Sequence, residues 1–463
     1  MKRSEVERKS SASSRLSVGM LSLGCPKTLV DSELVLGSLD PKRYEIAEHV
    51  GDCDIAVLNT CAFIHEAKQE SIDHILKLAQ LKQEGRIKAI VVLGCLVQRY
   101  QHELERELGE VDAFLGTGDY DAFQQTIDQV AARKKVTNVS SHPGFLYTFE
   151  MNRIPLTPPY SRYIKISEGC DHVCTFCTIP TFRGRHRSRQ LDDILREARL
   201  LVDQGARELI LTGQDTTYFG RDTHREFLLP TLLKELNQID LLRWIRVLYA
   251  YPSCVTDELV DAIGTLDKVC HYLDMPLQHV SDRMLRAMKR GTTKKTTTAL
   301  VRKLRSRIPD LALRTTFIVG FPGETEQDLR ELLEFMEVYR FERLGIFMYS
   351  REEESESASY GNQVPESVKR KRFHEGMALQ QKISIEVNER LLGRTLSVLI
   401  EGRDGADHTY VGRSYQDAPE VDGVVYVTTL QSVRLQPGDF VLATVTNTTE
   451  YDLHAQFVAL DSK

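Results

Sequence analysis

The sequence predicts an α/β protein with three folded regions: a parallel-sheet α/β domain, a partial (β/α) barrel of the TIM type, and a small antiparallel β-barrel. Apolar runs alternate with helical patterns over residues 18–136 and again over 161–392, and short β-rich runs follow over 393–463. Strands that alternate with helices form parallel sheets, whereas short strands between Gly, Asp and Pro turns form small barrels. A length of 463 residues with 41% apolar residues also suits about three domains.

The N-terminus is predicted to be a disordered, solvated tail over residues 1–17. It lacks the apolar stretch of a signal peptide, and Glu5 and Glu7 argue against a transit peptide. No run approaches the roughly 18 apolar residues that span a bilayer. We therefore expect a cytoplasmic protein with no membrane partner. Nine cysteines in such a chain indicate metal binding or catalysis and not a disulfide framework.

Three cysteines of the first domain, residues 18–136, directly follow predicted strands. MLSLGC ends in Cys25, AVLNTC in Cys61 and VVLGC in Cys95. Loops after the strands of an open parallel sheet lie along one edge, so these cysteines are expected to converge there. The alternative is that each is a buried thiol packed beside the sheet. Packing is the role predicted for the cysteines without partners at ligand spacing: Cys53, Cys254 and Cys270.

The stretch EGCDHVCTFC follows the first strand of the second domain, residues 161–392, after a proline-rich linker at 137–160. About six βα units fit a barrel or part of one, with active groups at the carboxyl ends of its strands. The motif holds three cysteines: Cys170, Cys174 and Cys177. Structural zinc requires a fourth ligand, for which His172 and His186 are candidates. Three close thiolates suit instead a 4Fe-4S cluster with one iron left free.

The spacing Cys-x-x-x-Cys-x-Phe-Cys on the first strand of a βα barrel resembles the radical S-adenosylmethionine (SAM) superfamily. The resemblance implies that the open iron chelates SAM and that Phe176 packs near its adenine. LSLGCPKTLVDSE, NTCAFI and VVLGC further resemble the methylthiotransferases within that superfamily. This implies a second 4Fe-4S cluster on Cys25, Cys61 and Cys95, a radical SAM barrel, and a C-terminal TRAM domain over 393–463.

The resemblance also implies the substrate. GCPKTLVDSE, GQDTTYFG, YLDMPLQH and RTTFIVGFPGETE resemble the branch that adds a methylthio group to the β-carbon of one aspartate of small-subunit ribosomal protein S-twelve, free or in the ribosome. The C-terminal domain has five Lys and Arg against ten Asp and Glu, which suits a basic protein better than tRNA. The alternatives are a tRNA adenosine methylthiotransferase, which the arginine-rich TFRGRHRSR leaves open, and a non-catalytic iron–sulfur electron carrier.

An aspartate β C–H is unactivated, so a radical route is expected. The resemblance implies that the cluster on Cys170, Cys174 and Cys177 cleaves one SAM to a 5′-deoxyadenosyl radical, while the other cluster holds sulfur that a second SAM methylates. It also implies a flavodoxin- or ferredoxin-type electron donor, and we expect a monomer. Residues after later barrel strands are expected to contact the cofactor, or else to be turn or packing residues: Gly213, Gln214, Asp215, Gln278 and Gly320.

Two stretches depart from the pattern of the family. Thr28 stands where Asn is usual, and EESES at 353–357 replaces a more usual EGTPA turn. Both put the local geometry in question. The run from Arg183 to Arg189 is expected either to contact the cofactor carboxylate or substrate, or to form a solvated loop.

Overall fold

The structure is a computed structural model that describes residues 15–405 and 408–461. The predicted tail therefore lies outside the described residues, apart from its last three. The chain divides into two compact units. The first runs to Phe145 and includes Met151–Ile154, and the second comprises Leu146–Glu150 and Pro155 onward. Within the described residues, no helix is long and apolar enough to cross a membrane.

The first unit is built on a six-stranded parallel sheet with the strand order β2-β1-β3-β4-β5-β6. Every residue of β3 and β4 is buried, which accounts for the apolar runs IAVL and AIVVLG. The edge strands β2 and β6 were not predicted, and β6 extends into the proline-rich segment. The elements are β1 Leu16–Ser22, α1 Pro26–Gly37, β2 Tyr44–Ala47, β3 Ile55–Thr60, α2 His65–Gln83, β4 Ala89–Gly94, α3 Cys95–Glu107, β5 Ala113–Leu115, α4 Phe123–Ala131 and β6 Val136–Asn138.

The second unit contains a second parallel sheet, with the strand order β14-β13-β12-β11-β10-β7, and this confirms the predicted partial barrel. The elements are β7 Ser161–Lys165, β8 Ser167–Glu168, α5 Ile179–Arg183, β9 Arg187–Ser188, α6 Leu191–Asp203, β10 Glu208–Thr212, α7 Arg221–His224, α8 Leu229–Asn237, β11 Trp244–Val247, α9 Asp257–Thr265, β12 Val269–Asp274, α10 Asp282–Ala287, α11 Lys294–Arg307, β13 Ala312–Val319, α12 Glu326–Tyr339, β14 Arg343–Met348 and α13 Glu366–Glu389.

Three helices of this unit begin at a threonine. The side chains of Thr256, Thr293 and Thr325 each accept a hydrogen bond from the backbone N–H three residues later, at the starts of α9, α11 and α12. Such caps satisfy backbone donors that otherwise lack partners, and replacing one by alanine costs about 1 kcal/mol. The threonines thus set where the outer helices of the barrel begin.

The C-terminal region is a closed five-stranded barrel, as predicted. Four of its strand pairings are antiparallel, while β17 and β19 pair in parallel. Its interior is filled by apolar residues from all five strands. The strands are β15 Thr395–Arg403, β16 Thr409–Ser414, β17 Val425–Thr428, β18 Phe440–Thr448 and β19 Leu453–Leu460.

A cluster of buried ion pairs joins this barrel to the amino ends of the central strands. Glu208, the first residue of β10, accepts from Arg246 of β11 at 2.9 Å and from Arg413 of β16 at 2.7 Å. All three side chains are at most 2% exposed. These three residues form the basal ion cluster. Arg413 also pairs with Glu401, so the two buried arginines share two carboxylates.

Acidic residues of the C-terminal barrel form further ion pairs with the central region. Their acidic members come from the small barrel and their arginines from the central region. Thus three of the ten acidic residues counted in the sequence hold the two folded regions together, and a fourth, Glu401, supports the basal ion cluster. The pairs are Arg343 with Asp417, Arg314 with Asp422, and Arg243 with Asp461.

Acid is expected to weaken this junction. Burial would raise the pKa of Glu208, but Arg413 and Arg246 outweigh burial and hold that pKa at about 2, below its ordinary 4.5. A carboxylate with a lowered pKa contributes stability that is complete above about pH 4.5 and is lost as the pH falls towards 2. Urea unfolding should show that the free energy of unfolding falls less between pH 7 and pH 2.5 in Glu208→Gln than in the wild type. Equal losses would contradict this account.

Candidate iron–sulfur and cofactor site

In the first unit, the three cysteines singled out in the sequence lie at the carboxyl ends of adjacent parallel strands. Cys25 follows β1 and is the N-cap of α1, Cys61 follows β3, and Cys95 follows β4 as the first residue of α3. A Cβ on Gly24 would lie 3.1 Å from the Cys61 Sγ, so the loop before Cys25 packs directly on Cys61. These backbones therefore approach one another, as the strand order predicts.

Thr28 shapes the loop that carries Cys25. Its hydroxyl donates to the carbonyl oxygens of Leu23 and Cys25, both at 2.7 Å. The backbone oxygen of Thr28 in turn accepts from the Asn59 amide on β3. A threonine in place of the usual asparagine therefore still fixes the turn, and the hydroxyl supplies the local bond.

In the second unit, the loop with Cys170, Cys174 and Cys177 follows β8 and is anchored by backbone hydrogen bonds. The Cys170 N–H donates to the Gly184 oxygen at 3.1 Å, and the Cys177 N–H to the Cys174 oxygen at 3.1 Å. Gly169 precedes the loop with φ of +75°, and a Cβ there would lie 2.0 Å from the Arg185 oxygen. Only glycine suits this position.

The middle of the loop rests on two distant segments. Thr175 accepts from the Ser357 N–H at 2.9 Å and donates to the Met288 oxygen through its own N–H at 3.1 Å. Ser357 belongs to EESES, the second departure from the family pattern, and its hydroxyl lies 2.8 Å from the Tyr349 hydroxyl. That stretch thus supports the cysteine loop. Burial raises the pKa of Cys170 to about 12, so binding a metal cluster has to displace a thiol proton.

His172 is held in place by contacts with Asp215 and Tyr251. Its Nε2 lies 2.6 Å from an oxygen of Asp215, and its ring stacks on Tyr251 with centroids 3.6 Å apart. Three possible metal-ligand atoms lie within 4.8 Å of one another, one each from His172, Asp215 and Cys254. The ring of His186 lies 3.1 Å from the Ser188 hydroxyl. The two histidines considered as fourth zinc ligands each use their Nε2 in a contact outside the cysteine loop, and Asp215 orients that loop through His172.

Buried polar atoms at the carboxyl ends of the central strands fit a polar cofactor. Among the described residues, the side-chain oxygens of Ser167, Gln214 and Gln278 are buried with no hydrogen-bond partner. Unpaired buried oxygens of this kind are costly unless a ligand or water supplies donors. Gly213 keeps the site open, because a Cβ there would lie 2.7 Å from the Ser167 Oγ. These residues fit the amino and hydroxyl donors of a molecule such as SAM.

Glu168 lies next to the cysteine loop and forms ion pairs with two buried cations. Its carboxylate accepts from Lys165 at 2.6 Å, from Arg183 at 3.3 Å and from the Gln214 amide at 2.7 Å. Burial would raise the pKa of Glu168, but Lys165 and Arg183 outweigh it and lower the pKa to about 2. Glu168 therefore stays ionised and fixes the amide of Gln214, leaving the other end of that amide for a ligand.

The remaining predicted cofactor contacts, Phe176 and Gly320, lie in an apolar region at the carboxyl ends of the central strands. Phe176 packs against a buried group that includes Met284, Met288 and Phe321. Gly320 follows β13, and a Cβ there would lie 2.3 Å from the Cγ of Lys369 on α13. Phe176 thus lines an apolar surface suited to an aromatic base, whereas Gly320 serves close packing against a helix.

The arginine-rich run is largely turned inward. Arg183 pairs with Glu168, and Arg189 pairs with Asp193 and Glu197. Arg187 donates to backbone oxygens of its own loop, and Arg185 is exposed. Of its four arginines only Arg185 is exposed, and contact of the run with the cofactor carboxylate or substrate stays a prediction.

Two residues of this site were missed by the sequence reasoning, Arg290 and Tyr251. Arg290 Nη1 lies 3.4 Å from the Cys174 Sγ, and the Tyr251 hydroxyl lies 4.0 Å from the same sulfur. Both are far from the cysteines in sequence and carry no ligand spacing. Their approach arises from the order of the strands.

Family models match all three folded regions. The radical SAM superfamily matches residues 164–336, the Uncharacterized protein family UPF0004 matches 17–116, and the TRAM domain matches 392–458. Among solved structures, a radical SAM methyltransferase, TsrM, from Kitasatospora setae aligns with a TM-score of 0.53 at 14% identity, over 72% of this chain and 75% of that one. That likeness concerns the fold alone.

Curated relatives match nearly end to end. A ribosomal protein uS12 methylthiotransferase RimO from Geobacter sulfurreducens is 47% identical over 96% of this chain and 98% of its own. Another from Thermoanaerobacter sp. is 48% identical over 95% and 99%. Membership of this family implies a 4Fe-4S cluster and SAM. The chain belongs to the RimO family of radical SAM methylthiotransferases.

Proposed function

We propose that this protein adds a methylthio group to the β-carbon of an aspartate in uS12, which is small-subunit ribosomal protein S-twelve. The observation that carries the proposal is the near-complete match, at 47–48% identity, to relatives named for that reaction. The match spans both sets of three cysteines; the first set follows three strands of a parallel sheet, and the second follows the short strand β8. A chain that preserves both sets is suited to two 4Fe-4S clusters and two SAM molecules.

Within this proposal, Cys170, Cys174 and Cys177 hold a cluster with one iron free for SAM. Bound there, the reduced cluster and SAM supply the radical chemistry that removes hydrogen from an unactivated carbon. Ser167, Gln214 and Gln278 offer their unpaired oxygens to the cofactor, and Phe176 offers the apolar surface for its adenine. Glu168 stays charged and fixes Gln214.

Cys25, Cys61 and Cys95 would hold the second cluster, and a free iron there would supply a site for the sulfur that becomes the methylthio group. Support comes from their positions after β1, β3 and β4 and from the close approach of the Cys25 loop to Cys61. Iron–sulfur clusters are held by cysteine thiolates, so three thiolates leave one iron for another ligand.

Charge favours the ribosomal protein over tRNA as substrate. The chain carries a net charge of −6, and the inward-facing arginines of TFRGRHRSR leave little basic surface in that loop. A tRNA enzyme gains most of its affinity from phosphate contacts, for which exposed basic residues are needed. Part of the acidic surplus is used in internal ion pairs, and the rest attracts a basic protein.

The proposal includes an electron donor of the flavodoxin or ferredoxin type, a cytoplasmic location and a monomeric enzyme. Reductive cleavage of SAM needs one electron from outside the chain. A ribosomal protein is available as substrate in the cytoplasm.

The proposal is tested by incubating reconstituted protein with SAM, sulfide and reductant in the presence of uS12 or of tRNA. We expect the aspartate peptide of uS12 to gain the mass of a methylthio group, with no change in tRNA nucleosides. A gain on tRNA alone would move the assignment to the tRNA branch. A protein that cleaves no SAM would favour an electron carrier.

A further inference from the structure

Arg290 is a buried cation that has no carboxylate partner among the described residues. The residue is 5% exposed. Its Nη2 donates to the Pro276 oxygen at 2.7 Å, and its Nη1 donates to the Cys174 Sγ at 3.4 Å. Its guanidinium carbon lies 4.1 Å from the centre of the Tyr251 ring. The group is thus fixed against one particular cysteine.

Other buried arginines of this unit have different surroundings. Six of them form an ion pair with at least one Asp or Glu, as expected because an isolated buried charge is very costly. Arg290 instead has a sulfur in the place of a carboxylate. The carboxylate-paired arginines are Arg183, Arg189, Arg246, Arg343, Arg372 and Arg413.

Tyr251 holds the arginine in place. Its hydroxyl donates to the Arg290 backbone oxygen at 2.7 Å and lies 4.0 Å from the Cys174 Sγ, while its ring also stacks on His172. Tyr251 therefore contacts both the backbone and the guanidinium of Arg290, which limits movement of the side chain away from Cys174. The contacts of Tyr251 therefore support the hydrogen bond from Arg290 to the Cys174 sulfur.

The geometry points to Arg290 as a positioning residue that stabilises the reduced cluster through the Cys174 sulfur; this inference rests on the proposed function, which places a cluster there. On reduction the cluster gains one electron from an external donor, and its negative charge increases by one. A fixed cation that donates a hydrogen bond to a ligand sulfur favours the more negative state. Arg290 thus makes SAM cleavage accessible to a weaker reductant.

The test is a redox titration of the full chain with dithionite and mediators, followed by EPR of the reduced cluster. A background with Cys25→Ala, Cys61→Ala and Cys95→Ala leaves one cysteine set to hold a cluster. We expect Arg290→Gln to make reduction about tenfold less favourable, a shift of about −59 mV for one electron. Arg290→Lys keeps the charge and should give an intermediate shift.

Lys289→Gln is the matched control, since it removes one positive charge at the next residue. Lys289 pairs with Glu356 at the surface, and both side chains are about half exposed. We expect it to titrate like the parent. An unchanged potential in Arg290→Gln, or an equal shift in Lys289→Gln, would overturn the inference.

Two further outcomes separate this inference from the proposed function. A folded Arg290→Gln chain without iron would also overturn the inference, because Arg290 would then serve cluster assembly. If the parent itself, with Arg290 intact, held no cluster on Cys170, Cys174 and Cys177, the proposed function would fail. If the parent held a cluster but Arg290→Gln left its potential unchanged, only the role of Arg290 would be refuted and the proposed function would stand.

Discussion

Replacing Cys174 by alanine is expected to abolish SAM cleavage. The cluster depends on three thiolates in one short loop, and no other described cysteine forms part of that loop. Removing one thiolate also leaves Arg290 buried without its sulfur partner. We expect reconstituted Cys174→Ala to form no detectable 5′-deoxyadenosine and to bind about half the iron of the wild type, since one of two equal clusters is lost.

Two matched variants make this result specific. Cys270→Ala removes a buried thiol outside both cysteine sets, and it should keep both iron and SAM cleavage. Cys61→Ala removes a ligand of the other set, and it should keep 5′-deoxyadenosine formation but lose methylthio transfer. If Cys174→Ala still cleaved SAM, or if Cys61→Ala still transferred a methylthio group, the assignment of the two sets would be wrong.

Replacing Glu208 by alanine is expected to cost about 3–5 kcal/mol of stability, the range observed when one member of a buried ion pair is removed. Glu208 is the only carboxylate in contact with Arg246 among the described residues, and it also binds Arg413. Its loss leaves Arg246 without a counter-charge in the interior. The C-terminal barrel should loosen from the central strands before the rest of the unit unfolds.

The single tryptophan of the chain reports directly on this junction. Trp244 begins β11, and its ring lies 4.8 Å from that of Phe440 in the C-terminal barrel. Urea unfolding followed by its fluorescence should show an early red shift in Glu208→Ala. Asp257→Ala breaks a surface ion pair with Lys303 and should unfold like the wild type. A Glu208→Ala curve that matches the wild type would contradict the role of the basal ion cluster.

Much of the fold was predictable from the sequence because strands and helices alternate with strong periodicity. The βα order placed the two cysteine sets at the carboxyl ends of strands, and the resemblance named the cluster each would hold. Short edge strands such as β2 and β6 escaped because three or four residues carry little periodic signal. Boundaries of the domains, including the linker at 137–160, stay predictions.

The contacts that support the site were not predictable in the same way. Arg290 approaches Cys174 from 116 residues away, and Glu208 meets Arg413 from 205 residues away. Such pairings depend on which strands become neighbours, and no local pattern encodes them. The acidic surplus illustrates the same limit, since composition shows how many carboxylates there are but not that several are paired with arginines inside the unit.

Peptide mass spectrometry of uS12 tests the central claim most directly. Ribosomes would be isolated from cells with the gene, without it, and with it replaced by Cys174→Ala. We predict that the target aspartate carries a methylthio group only in cells with the intact gene. An aspartate of the same mass in all three would contradict the proposed function.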